Sequence, residues 1–460
     1  MTRRWILVLA LMVVLVFVGS PDVSADSGEQ SYLILARGNS LSRNLEADVA
    51  AAGGALTNTI PEVGIAVATS SNPSFQANME RARGVRSVVS NLSVQWVPPV
   101  EQFAFDIDAN PPNSGDDDPF FDLQWGHDAV DAPEAWDAGA RGAGARVAVL
   151  DTGFDLDHPD LVPNINFGLS KDFTGEGLQY TLADVFSHGT HTAGTIAAAD
   201  NAFGVIGVAP EAELVLVKVL GDEGSGTFED VIAGIVHAAN VEADVINMSL
   251  GATLLKSGDP DADEPYTARE ANELKNAIGR AVAYAHQSGT TVIASAGNDG
   301  RDGDKDKNAI HVPSDAPHAV SISATGPLGW ALDPGTDLDV PAFYTNYGQS
   351  VIDFAAPGGN VDFGLLDSDV ECTVVGIIAP CWAFDLVFST GNGGWYWSAG
   401  TSMSAPHAAG VAALIIGANG GDMHPARVEA ALRSSADDLG DPGQDDFYGA
   451  GRVNAFNYFD

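Results

Sequence analysis

Apolar residues along this chain recur with two different periods. Residues 146–150, 214–219, 245–251 and 291–295 are short, nearly continuous apolar runs rich in β-branched side chains, the pattern of strands buried on both faces of a parallel sheet. Residues 320–324 and 351–355 read as further strands. Between and after them, residues 228–239, 267–287 and 426–434 repeat their apolar positions at helical spacing. This alternation predicts an α/β fold, a three-layer sandwich with a mainly parallel sheet. Upstream the order differs: strand 32–36, helix 41–52, strand 55–60, strand 64–69, helix 73–82, strand 85–90. That βαββαβ order predicts a small α+β ferredoxin-like domain ahead of the larger one.

The ends and the charge add to this picture. Arg3 and Arg4, an apolar run over 5–18, and Val23-Ser24-Ala25 have the three-part form of a secretory signal cleaved after Ala25, which predicts export. The run is short for a bilayer, so no stable membrane anchor is expected after cleavage. Residues 98–118, rich in Pro, Asn and Asp, read as an exposed linker. Across 460 residues, 21 Lys and Arg face 62 Asp and Glu, a formal charge of −41. Such a field repels nucleic acid and anionic membranes as partners, and suits either a saline habitat or several calcium sites. The only cysteines, Cys372 and Cys381, lie close together and are expected to close one disulfide in an exported chain, the alternative being two buried thiols.

Candidate chemistry centres on Gly400-Thr401-Ser402-Met403-Ser404-Ala405-Pro406-His407, where a glycine turn leads a serine into a helix of small residues. Pro406 suits a first helical turn, and a helix start gathers N–H groups fit for an oxyanion. An ordinary alternative is an N-cap serine. Asp151 ends the apolar run 146–150, at the carboxyl edge where open α/β sheets bind ligands. His188, in His188-Gly189-Thr190-His191, opens another small-residue helix. Together these are a nucleophile, a base and a residue to orient the base.

The Asp151-Thr152-Gly153, His188-Gly189-Thr190-His191 and Gly400 to His407 motifs, in the chain order Asp, His, Ser, resemble those of the subtilisin-like serine peptidases, the subtilases. The resemblance runs from about Gln124 to the C-terminus. It implies a secreted endopeptidase with the triad Asp151, His188 and Ser402 and an oxyanion asparagine at Asn298, acting on protein or peptide substrates. Gly224, Ser225 and Gly226, with Ser249, Leu250 and Gly251, are then the two rails between which substrate lies extended. By the same resemblance a structural calcium is held by Asp160 and the loop residues Ala199, Asn201, Phe203 and Val205, with Asp118 a further candidate. The ferredoxin-like domain becomes a propeptide, an intramolecular chaperone and inhibitor. The expected organisation is signal 1–25, propeptide 26–98, linker 99–118 and catalytic domain 119–460. The acidic loop 299–306 is expected either to favour a basic substrate residue or to bind a cation. An exopeptidase of the same family, or an inactive binding relative, are the rival readings; oligomeric state is not encoded in any motif.

Overall fold

In the computed structural model, which describes residues 28–98, 102–103 and 117–459, the chain is organised by a seven-stranded sheet whose neighbours all run parallel. Its order is Phe354–Pro357, Ala319–Thr325, Thr291–Ser295, Val245–Met248, Arg146–Asp151, Glu213–Lys218, Lys171–Asp172. Successive residues on a strand point to opposite faces. Ala148, Leu150, Ile246 and Met248 therefore enter one core, covered by the helices Phe228–Asn240 and Ala268–Gln287. Val147, Val149 and Val245 enter the other, covered by His188–Ala197 and Thr401–Ala418. Burial on both faces is why these strands are apolar throughout; each fully buried Val or Leu contributes about 1.5–3 kcal/mol relative to exposure. The helix Thr401–Ala418 is long and apolar enough to cross a membrane, yet 89% of it is buried in this core.

Local signals set several boundaries. Thr267 and Glu270 form a capping box that starts the helix Ala268–Gln287. The strand expected over 351–355 instead runs from Phe354 to Pro357, because a turn closed by Val351 N–H on the Gly348 carbonyl (3.1 Å) precedes it. The helices expected over 41–52 and 73–82 shorten to Leu45–Ala52 and Phe75–Met79, their flanks being turns.

The N-terminal elements form a separate antiparallel sheet in the order Ala55–Ile60, Ile65–Ser70, Gln30–Ala36, Val85–Ser90. Tyr32, Ile34 and Val88 pack beneath its own two helices. Leu33, Leu35, Val67 and Val89 point the other way and join the core of Phe228–Asn240 and Ala268–Gln287. Ion pairs Arg86–Glu273 (3.2 Å) and Arg269–Glu80 (2.6 Å) border this contact. Cys372 and Cys381 are disulfide-bonded across the hairpin of Glu371–Val374 and Ile377–Pro380. The signal expected over 1–25 lies outside the described residues, as do positions 99–101 and 104–116 of the expected linker.

Candidate active site

Asp151 ends its strand at the carboxyl edge of the sheet and is fully buried. Its Oδ1 accepts from the Thr152 amide (2.7 Å) and pairs with Nδ1 of His188 (2.7 Å), and its Oδ2 accepts from Thr192 Oγ1 (3.2 Å). Thr192 was not anticipated, although it stands one helical turn after His188, a spacing that puts both on one face. Ser187 caps the His188–Ala197 helix by accepting from the Thr190 amide (3.3 Å) and is tied by its hydroxyl to the Gly153 carbonyl (2.9 Å). The imidazole is thereby fixed with Nδ1 on the carboxylate, and its Nε2, also buried, has no hydrogen-bond partner among the described residues. Behind it, burial pushes His191 down to about 3 and His407 down to about 4, so both are neutral imidazoles at neutral pH.

Ser402 is the second residue of the Thr401–Ala418 helix, which starts after Gly400. Pro406, expected in the first turn, is interior to the helix instead. A proline there withdraws the N–H that the carbonyl four residues back needs. That carbonyl belongs to Ser402, and Ser249 Oγ supplies the missing donor at 2.6 Å. The Ser402 hydroxyl in turn donates to the Ser249 carbonyl (3.1 Å). Asn298 follows the strand Thr291–Ser295, and its Oδ1 accepts from the Thr401 amide (2.9 Å) and hydroxyl (2.8 Å). With the oxygen held in this way, the amide Nδ2 is the end left to donate elsewhere.

The segments 224–226 and 249–251 flank a stretch of the chain itself. Ser93–Gln95 pairs antiparallel with Ser225–Thr227, Trp96 N–H donates to the Gly224 carbonyl (3.0 Å), and Gly251 N–H donates to the Trp96 carbonyl (2.9 Å). The Trp96 side chain is buried, its Nε1 on the Gly226 carbonyl (2.9 Å) and its ring 4.8 Å from that of Phe228. Gly224 has a φ of +86°, and a Cβ there would meet the Val97 carbonyl at 2.9 Å, so the close approach needs glycine. Leu250 is buried beside this contact.

Asp160 is buried, with Oδ2 accepting from Trp395 Nε1 (2.9 Å) and the Val205 amide (3.1 Å) while Oδ1 has no partner among the described residues. Burial pushes its carboxyl up to about 7. The alternation of Ala199, Asn201, Phe203 and Val205 places amides against carboxylates: Asn201 and Phe203 donate to Asp118 Oδ1 (3.3 and 3.0 Å), and Ala199 donates to the Asp160 carbonyl (2.7 Å). Asp117, Asp118 and Asp200 bring one carboxylate oxygen each within 4.8 Å of one another, a group able to hold a metal ion. Asp117 and Asp200 had not been singled out, because their positions carry no motif. In the acidic loop after Asn298, Asp306 lies 3.4 Å from Arg301 and Asp302 lies 2.6 Å from Lys305, so part of its charge is paired within the loop.

A parallel sheet with a carboxylate–imidazole pair at its carboxyl edge and a serine at a nearby helix start defines the class of α/β serine hydrolases. The sequence profile described as the subtilase family matches residues 142–451. Thermitase of Thermoactinomyces vulgaris is 33% identical over 342 residues, covering 74% of this chain and 97% of that protein. An intracellular serine protease of Paenibacillus polymyxa is 36% identical over 291 residues, 63% of this chain and 72% of that one. The solved structure of the epidermin leader peptide processing serine protease from Staphylococcus aureus has a TM-score of 0.73 at 21% identity, over 94% of this chain and 97% of that chain, a likeness of fold. The chain belongs to the subtilase family and is a serine endopeptidase acting on protein or peptide substrates.

Proposed function

We propose that the catalytic triad is Asp151, His188 and Ser402, with Asn298 as oxyanion donor, in an exported enzyme made as a self-processing zymogen. The observation that carries the assignment is the 2.7 Å bond from His188 Nδ1 to a buried Asp151, which leaves Nε2 as the nitrogen of that ring with no partner among the described residues. In the proposed mechanism Ser402 Oγ leaves the Ser249 carbonyl, to which it donates at 3.1 Å, and gives its proton to that nitrogen. The hydroxyl then attacks the scissile carbonyl while Nε2 takes its proton, and Asp151 stabilises the imidazolium through Nδ1. The Ser402 amide and Asn298 Nδ2 donate to the oxyanion. His188 returns the proton to the leaving amine, and water completes the cycle by the same route.

The N-terminal sheet is read as a ferredoxin-like inhibitor propeptide spanning 26–98, with the signal at 1–25, a linker at 99–118 and the catalytic domain at 119–460. The position of Ser93–Trp96 between segments 224–226 and 249–251 supports this, since an extended strand there occupies the rails a substrate would use. Asp160, with one buried oxygen unpartnered, and the neighbouring group at Asp118 fit a hard cation, and calcium is the ion their oxygen donors suit. When bound, calcium supplies charge compensation to this loop and no chemistry.

The test is intact mass after export for wild type and Ser402→Ala, each treated with a fluorophosphonate. Loss of the N-terminal segment and labelling at Ser402 in the wild type alone is the expected result. Absence of both in folded, calcium-loaded wild type rejects the assignment.

A further inference from the structure

The strand that runs into the nucleophile carries a second piece of the upstream chain. Gln102–Phe103 pairs antiparallel with Gly394–Ser398, Phe103 opposite Trp397 and Gln102 opposite Ser398. The Phe103 ring meets Trp382 edge-on at 5.7 Å and lies tilted against Trp397 at 6.0 Å. Trp397 is buried against Phe384 (5.4 Å) and Phe388 (4.6 Å), whereas Trp382 is half-exposed. Trp382 directly follows Cys381, so the Cys372–Cys381 bond anchors the turn Cys381–Asp385 that presents it.

Two stretches of the upstream chain therefore lie on segments that lead to Ser402, one through Ser249 and one through Ser398. Ser93–Val97 lies on the Gly224 and Gly251 side, and Gln102–Phe103 lies on the strand ending at Ser398. For a substrate lying in the same direction, residues before the cut take the first position and residues after it take the second. Backbone pairing on the second is indifferent to sequence, but a site walled by two indole rings is not.

We propose that Trp382, backed by Trp397, forms an aromatic subsite for the leaving half of the substrate, selecting a Phe, Tyr or Trp downstream of the cut bond in an extended peptide. In the uncut chain Phe103 fills it. The inference rests on the endopeptidase reading above and adds to it a selectivity on the product side.

The test uses processed enzyme obtained from the full chain carrying Phe103→Ala, so that neither its own ring nor Ser93–Trp96 competes, and measures kcat/KM on extended peptides in which one Phe is walked through an otherwise Ala leaving half. A short chromogenic peptide that ends at the cut bond serves as the reference for active enzyme. One register of Phe is expected to raise kcat/KM about five- to tenfold over Ala, and Trp382→Leu to erase that ratio. Self-processing should slow in Phe103→Ala and recover in Phe103→Tyr, a readout that leaves Trp382 untouched. Equal rates for Phe and Ala at every register, with the short peptide cleaved and Ser402 labelled by fluorophosphonate, overturn the subsite alone. Loss of cleavage and of labelling together takes down the catalytic reading and the subsite with it.

Discussion

Asp151 and Asp160 are both fully buried, and they are finished in opposite ways. Asp151 has Thr152 and His188 on one oxygen and Thr192 on the other, all donors of the chain itself. Asp160 has donors on one oxygen only, and burial holds its carboxyl up at about 7. A carboxylate withdrawn from water needs its lone pairs filled or a cation beside it. The first site is complete when the chain has folded, whereas the second is open to a proton or to the cation proposed above.

The largest expected effect tests the complete site. Asp151→Asn should lower kcat by about 10⁴ by disturbing the proton position on His188, measured by steady-state kinetics after the variant's N-terminal segment is removed in trans by active enzyme. Asn298→Ala should cost about 10²–10³ in kcat with KM little changed, the pattern expected of the oxyanion donor proposed above. A loss mainly in KM would place Asn298 in substrate binding instead.

The open site is tested by stability. Removing calcium with a chelator should lower Tm, and Asp160→Asn should shrink that response. Calcium affinity, followed by calorimetry, should weaken as pH falls below about 7, because the protonated Asp160 carboxyl must release its proton to bind the ion. An affinity that is level from pH 8 to 6 would separate Asp160 from the cation.

The smallest effect compares two neighbours in the calcium-free protein. Asp160 is raised from the ordinary 3.8 to about 7, so its protonated form favours the fold; that contribution is complete below about 3.8 and lost as pH rises towards 7. His158 is lowered from 6.5 to about 4 by burial, so its contribution is complete above 6.5 and lost as pH falls towards 4. The Tm of wild type relative to Asp160→Asn should therefore fall with rising pH, and that of wild type relative to His158→Asn should fall with falling pH. Thermal melts across pH 4–7 check both signs.

Much of the fold was legible because burial on both faces of a parallel strand leaves a continuous apolar run, as in Arg146–Asp151, Glu213–Lys218 and Thr291–Ser295. Boundaries governed by turns were less so, as the displaced strand Phe354–Pro357 and the shortened helix Phe75–Met79 illustrate. In the site, Asp151, His188, Asn298 and Ser402 stood out through their fixed neighbours. Thr192, Ser249 as a partner of both Ser402 carbonyl and hydroxyl, and Thr401 as the group that turns Asn298 did not, because a lone Thr or Ser has no local signature of a distant contact.

By itself the sequence determined the strand and helix periods, the glycine turns and the order of the chemistry-bearing residues, all of which depend on neighbours within a few positions. Only the tertiary structure decided that Ser249 replaces the hydrogen bond Pro406 removes, that Trp96 bonds to both Gly224 and Gly251, that Phe103 rests on Trp382, and that Asp160 is left one donor short. Those contacts join residues far apart in the chain, 153 positions in the case of Ser249 and Ser402. The contact of Ser249 with Ser402 exists because parallel crossovers bring the carboxyl ends of separate strands to one edge, the others because distant stretches add to small antiparallel sheets or loops, and no local pattern encodes what meets there.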